Sequence, residues 1–90
     1  MVRYHIIVYG RVQGVGFRFF VRERASLYGI RGWVKNRFDG TVEIEAEGTE
    51  EDLRLFLESV REGPRYAYVE NLEINKKADL KNYEGFAIRF

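Results

Sequence analysis

The spacing of apolar residues changes along the chain, and each change marks an element. From residue 2 to 9, Tyr4, Ile6 and Val8 alternate with His5, Ile7 and Tyr9, the two-residue period of a strand that is apolar on both faces and therefore central. Phe17, Val21, Ala25 and Tyr28 then recur at helical spacing, with Phe20 and Leu27 widening the stripe and Arg22, Glu23 and Arg24 set between them. Gly29 is the expected stop. A second strand is predicted from Ile30 to Asn36, and Asn36-Arg37-Phe38-Asp39-Gly40 has the turn chemistry to reverse the chain into a hairpin. In the third strand Val42, Ile44 and Ala46 face one side and Thr41, Glu43, Glu45 and Glu47 the other, the pattern of a strand with one wet face. Thr49 is placed to cap a second helix whose start carries Glu50, Glu51 and Asp52 and whose stripe is Leu53, Phe56, Leu57 and Val60, ended by Gly63-Pro64. A fourth strand from Tyr66 to Ile74 alternates imperfectly, as a bulged strand does. The polar run Asn75 to Asn82 leads to a short last strand with Phe86, Ile88 and Phe90 on one face.

The order β-α-β-β-α-β plus one short strand predicts an α+β, ferredoxin-like sandwich: an antiparallel sheet with both helices on one face. Ninety residues hold one domain, residues 1–90, with one modest core. In a split β-α-β unit the first two strands run parallel, so their C-terminal ends lie at the same edge of the sheet. Asn36, at the end of the second strand, is therefore expected beside the loop that leaves the first, eighteen positions from Arg18 in sequence.

Composition narrows the chemistry. The chain is 46% hydrophobic and 16% aromatic, a globular composition. No stretch is long enough to span a bilayer and the N-terminus has no signal-peptide pattern, so a cytoplasmic location is expected, with no membrane partner. Cysteine is absent and His5 is the one histidine, which excludes disulfides, thiolate nucleophiles and His- or Cys-based metal sites. A net charge of +1 gives no global attraction to nucleic acid, so any anion site must be local.

The segment Gly10-Arg11-Val12-Gln13-Gly14-Val15-Gly16-Phe17-Arg18 is built for such a site. It joins strand to helix through three glycines, which let consecutive N–H groups face one concave side, and the first helical turn adds unpaired donors. Arg18 adds a planar fork that matches phosphate oxygens. Asn36 offers an acceptor and two donors, enough to hold a water in line for attack. A phosphate monoester needs an acid for its alkoxide leaving group, and often a metal or covalent nucleophile. A carboxylic-phosphoric anhydride expels a stable carboxylate, so positioning and charge stabilisation suffice. The sparse inventory of side chains favours an acyl phosphate.

Two segments resemble the signature motifs of the acylphosphatase family: Gly10-x-Val12-Gln13-Gly14-Val15-Gly16-Phe17-Arg18, and Gly32-Trp33-Val34-Lys35-Asn36-x-x-x-Gly40-x-Val42 followed by Gly48. The similarity in length and element order covers nearly the whole chain. The resemblance implies hydrolysis of the carboxyl-phosphate bond of acyl phosphates on a ferredoxin-like fold, with no metal and no organic cofactor. It gives Arg18 the phosphate-binding role, Asn36 the water-orienting role, and the backbone amides of Gln13, Gly14, Val15, Gly16 and Phe17 the phosphate cradle. Inorganic phosphate is then both product and inhibitor, and a monomer is expected. Many members end in tyrosine where this sequence ends in Phe90, so a hydroxyl contact near that position is missing here.

Other functions stand beside this one. Gly14-Val15-Gly16-Phe17-Arg18-Phe19-Phe20 has a faint likeness to the aromatic motif of RNA-recognition domains, but that motif belongs on the third strand, where this chain has Glu43, Glu45 and Glu47. A nucleotide P-loop needs a Lys-Ser/Thr pair that is missing here. A non-catalytic module binding a phosphorylated metabolite keeps Arg18 and shows no turnover. Acylphosphatase-like domains also open larger hydrogenase-maturation proteins that handle carbamoyl phosphate; with the sequence ending at residue 90, the free-standing enzyme is expected. Arg11 and Lys35 are expected in solvent, and Trp33 and the phenylalanines in the core and on the sheet.

Overall fold

Ile6 opposite Ile44 and Val8 opposite Val42 form the centre of an antiparallel pair, and these apolar contacts fix the register on which the rest is built. The computed structural model describes residues Met1 to Phe90. Its elements are β1 (Val2–Arg11), α1 (Phe17–Tyr28), β2 (Arg31–Asn36), β3 (Val42–Gly48), α2 (Glu50–Glu62), β4 (Tyr68–Lys77) and β5 (Phe86–Arg89). The five strands form one sheet in the order β4-β1-β3-β2-β5. β1 and β2 both run antiparallel to β3 between them, and so parallel to each other. No helix is long and apolar enough to cross a membrane.

The core joins one face of the sheet to the helices. Ile6, Val8, Val34, Val42, Ile44 and Ala46 meet Phe17, Val21 and Ala25 of α1 and Leu53, Phe56 and Val60 of α2 in a single buried cluster. Each helix ends as the sequence predicts: Gly29 is left-handed and Ile30 N–H reaches back 2.8 Å to Ala25 C=O, while Gly63 closes α2. Thr49 caps α2 through a 3.1 Å bond from Asp52 N–H to its hydroxyl.

Three expectations are corrected. The sheet is mixed: β5 adds to β2 in parallel, with Gly32 opposite Phe86 and Lys35 opposite Arg89. β4 begins at Tyr68, because a turn closed by Ala67 N–H on Pro64 C=O precedes it, and it continues to Lys77. As an edge strand it can carry the polar residues Asn75 to Lys77 in register with His5, Tyr4 and Arg3. The expected bulge lies in this strand. Tyr9 pairs with Asn71 and Gly10 with Val69, which leaves Glu70 as the extra residue. Gly10 is required there, because at φ +128 an added Cβ would lie 2.1 Å from Tyr68 C=O.

The third correction concerns the acidic face of β3. Glu45 and Glu47 are only 5% and 3% exposed, because the connection from β4 to β5 straps across the helix-free face of the sheet. Arg3 donates to Glu45 at 2.6 Å and to Asp79 at 2.9 Å, which pins the start of the strap. The hydrogen bond from Arg3 holds the Asp79 carboxyl below the usual carboxylate range. That stabilisation is complete above the ordinary carboxyl pKa and is lost as pH falls through the lower folded value. Glu47 receives the backbone N–H groups of Lys81, Asn82 and Tyr83, so its carboxylate organises the turn it covers. Glu47→Ala is expected to leave these donors unpaired and to lower stability by about 1–3 kcal/mol, read as a lower midpoint in urea unfolding.

Candidate functional site

The loop between β1 and α1 is held at both ends by buried side chains, Val12 at 1% and Phe17 at 2% exposure. Between these anchors Gly14 and Gly16 both adopt left-handed φ, 74° and 76°, and an added Cβ at either would meet nothing within 4 Å. The glycines are thus demanded by backbone conformation, and their outer side stays open. Gly16 is also the N-cap of α1, so no side chain caps this helix, and its first turn carries no acidic residue. α2 differs, with Thr49 and three acidic residues at its start. The backbone N–H groups from Gly14 to Phe17 have no acceptor in the protein. Together they make a concave donor surface at the positive end of a helix dipole.

Arg18 projects from the first turn of α1. Its Nη1 donates 3.1 Å to the carbonyl of Arg89, and its guanidinium lies 4.7 Å from the ring centroid of Phe90. The parallel pairing of β5 with β2 delivers both contacts, since it carries the end of β5 to the edge where β2 and β1 also end. The aromatic face of Phe90 therefore meets the arginine with no need of a hydroxyl. Neither contact was visible in the sequence, because the place of the last strand had no local signal.

Asn36 closes β2 and, as the parallel geometry predicts, comes to the loop. Val12, Gly14, Gly16, Phe17, Arg18, Phe19 and Asn36 line one small cavity of about 110 Å³. Asn36 Oδ1 is enclosed and accepts no hydrogen bond from the protein. No protein group fixes the amide, so a half-turn about its last side-chain bond can present either its acceptor or its donors to the cavity. A buried unpaired acceptor costs about 1–3 kcal/mol and is retained where something else uses it.

Gln13 has a second part to play that the sequence did not reveal. Its Nε2 donates 2.7 Å to Arg37 C=O and 2.9 Å to Thr41 C=O, across 24 and 28 residues. It thereby ties the glycine loop to the turn that carries Asn36. That turn is rigid in its own right. Asp39 Oδ1 accepts from Thr41 N–H at 3.0 Å and from its hydroxyl at 2.5 Å, and Arg37 N–H bonds Thr41 C=O at 2.9 Å. The Thr41 hydroxyl leads the causes that hold the Asp39 carboxyl below its usual range, so it offers no proton near neutral pH. Not all phenylalanines serve the core. Phe19, Phe38 and Phe90 are exposed, and all three stand around the cavity or beside Asn36.

The fold and this cavity define a class: a ferredoxin-like sandwich in which a bare helix N-terminus, a glycine turn, one guanidinium and one unpaired amide converge on one small cavity. The family model of acylphosphatase matches residues 4–88. An acylphosphatase of Bacillus velezensis is 50% identical over 90 residues, covering all of both chains. The crystal structure of acylphosphatase from Bacillus subtilis superposes with a TM-score of 0.98 at 46% identity, again over all of both chains. The HypF structure from T. kodakarensis aligns at a TM-score of 0.87 and 37% identity over all of this chain but 12% of its own length. The chain belongs to the acylphosphatase family.

Proposed function

We propose that the protein hydrolyses acyl phosphates to a carboxylate and inorganic phosphate, with Arg18 and the amides of Gln13 to Phe17 holding the phosphoryl group and Asn36 orienting the water. The observation that carries the residue roles is the unpaired amide of Asn36 in the same cavity as Arg18 and the bare start of α1. The water oxygen attacks phosphorus while the bond from phosphorus to the bridging oxygen breaks. The bridging oxygen leaves with the bonding electrons as carboxylate, and the two water protons end on the phosphate, so RCO–OPO₃²⁻ and H₂O give RCOO⁻ and H₂PO₄⁻. Charge that gathers on the non-bridging oxygens meets fixed N–H donors and the guanidinium, which need not reorganise. A carboxylate leaves without a proton, which suits a cavity with no acid in its wall.

Family membership supports the reaction, and the geometry supports the assignment of roles. Within this reading the protein acts in the cytoplasm as a monomeric single domain, 1–90, without a cofactor. The test is hydrolysis of acetyl phosphate and benzoyl phosphate in EDTA, with turnover and competitive inhibition by inorganic phosphate expected. Absence of turnover, with phosphate still bound, would leave only a binding module. Gln13→Ala is expected to lower kcat/KM about tenfold to a hundredfold, mostly in kcat, because the loop and Asn36 lose their shared tie. Steady-state kinetics on a variant with an unchanged circular dichroism spectrum checks this.

A further inference from the structure

Attacking and leaving oxygens stand at opposite apices of the phosphorus in an in-line displacement. With the water at Asn36, the acyl group departs away from Asn36. Of the other residues that line the cavity, Val12 and Phe17 are buried beneath it, Gly14 and Gly16 have no side chain, and Arg18 faces the phosphate. Phe19 remains. This residue is 60% exposed, and it is the only exposed large apolar side chain in that wall.

Phe19 also borders a second, larger groove along α1 that includes Arg22, Glu23, Arg24 and Arg31. The Arg22 guanidinium stands 5.4 Å from the Phe19 ring centroid, one helical turn on. Arg22, Arg24 and Arg31 form no ion pair, and Glu23 is the one carboxylate among them. A chain leaving the phosphate site across Phe19 therefore enters a groove with surplus positive charge. The recess that Asn36 itself borders has a different character: Lys35 and Arg37 share it with the carboxylates of Asp39 and Glu43, and Phe38 and Phe90 are exposed there.

We propose that Phe19 and Arg22 form the acyl-side subsite and select acyl phosphates whose acyl group has an apolar or planar body carrying a second negative charge. This rests on the hydrolytic reading of the cavity. Phe19 stacks on the body of the acyl group, and Arg22 meets its distal anion. The subsite acts on specificity and takes no part in the chemical step.

The test compares kcat/KM for acetyl phosphate, benzoyl phosphate and 4-carboxybenzoyl phosphate across variants, with each variant's ratios normalised to those of the parent. Phe19→Ala is expected to lower the benzoyl-to-acetyl ratio about threefold to tenfold. Arg22→Ala is expected to lower the 4-carboxybenzoyl-to-benzoyl ratio about twofold to fivefold, with the difference shrinking at high salt. Unchanged ratios in both variants would overturn the proposal, as would a benzoyl-to-acetyl ratio that responds to Phe38→Ala and not to Phe19→Ala. Hydrolysis of acetyl phosphate by the parent with unchanged ratios sinks this subsite alone, whereas a parent that hydrolyses none of the three overturns the hydrolytic reading as well.

Discussion

Asn36→Ala is expected to produce a protein that folds at least as well as the parent, binds phosphate as tightly, and hydrolyses acyl phosphates about 10²- to 10³-fold more slowly. The rate loss is that of an unpositioned nucleophile, since the phosphoryl group stays in its cradle while the water loses its guide. Phosphate inhibition survives because no cradle N–H and no atom of Arg18 has moved. The stability expectation comes from the enclosed, unpaired Oδ1. Removing a polar atom that has no partner relieves a desolvation cost, so unfolding free energy should hold or rise by up to about 1 kcal/mol. A more stable, inactive variant is the mark of a side chain kept for function at the expense of fold. The checks are kcat, the inhibition constant for phosphate, and urea unfolding. A fall in stability with little change in kcat would make Asn36 an ordinary turn residue.

Arg18→Ala should cost more activity, about 10³-fold or beyond in kcat/KM, by the scale of an arginine that neutralises a transferring phosphoryl group. Here, unlike with Asn36, inhibition by inorganic phosphate should weaken along with turnover, because the same fork holds ground state and product. Arg18→Lys should recover little. The guanidinium must stand over the Phe90 ring, bond the Arg89 carbonyl 3.1 Å away and still present a free edge to the anion, which a single ammonium cannot do. Stability should change little, since Arg18 is partly exposed and makes no ion pair with an acidic side chain. Phosphate inhibition as strong as in the parent would remove Arg18 from the anion site.

Topology made the pairing of Asn36 with the glycine loop readable in advance. Two parallel strands end at one edge whatever their side chains do, so the meeting of Asn36 with the glycine loop follows from element order. Contacts that depend on long side chains or on the path of an irregular segment were not readable. Nothing near Gln13 in sequence marks its amide as a donor to carbonyls in another turn. The alternation of β3 showed that Glu43, Glu45 and Glu47 share a face, but periodicity carries no record of what lies over that face. Only the strap, with Lys81, Asn82 and Tyr83 turned onto Glu47, shows that part of it is dry. Hydrophobicity places Phe19, Phe38 and Phe90 in core or sheet, and that property cannot separate a buried ring from one kept at the mouth of a site.

The placement of β5 has a consequence for how activity reports on the molecule. This strand is four residues long, lies at the edge and pairs only with β2, yet it supplies both contacts that steady the Arg18 guanidinium. Short edge elements are where native proteins open first, at free energies well below global unfolding. Phe86 and Ile88 pack against the buried cluster without belonging to it, so a molecule with β5 detached uncovers one flank of the core, Phe56 included, and lets Arg18 swing free. Such a conformer would keep most of its secondary structure and, with Arg18 in the proposed role, is expected to lose activity. With Arg18 in the proposed role, specific activity is expected to follow the fraction of molecules whose last strand is in place more sensitively than any spectroscopic signal of secondary structure.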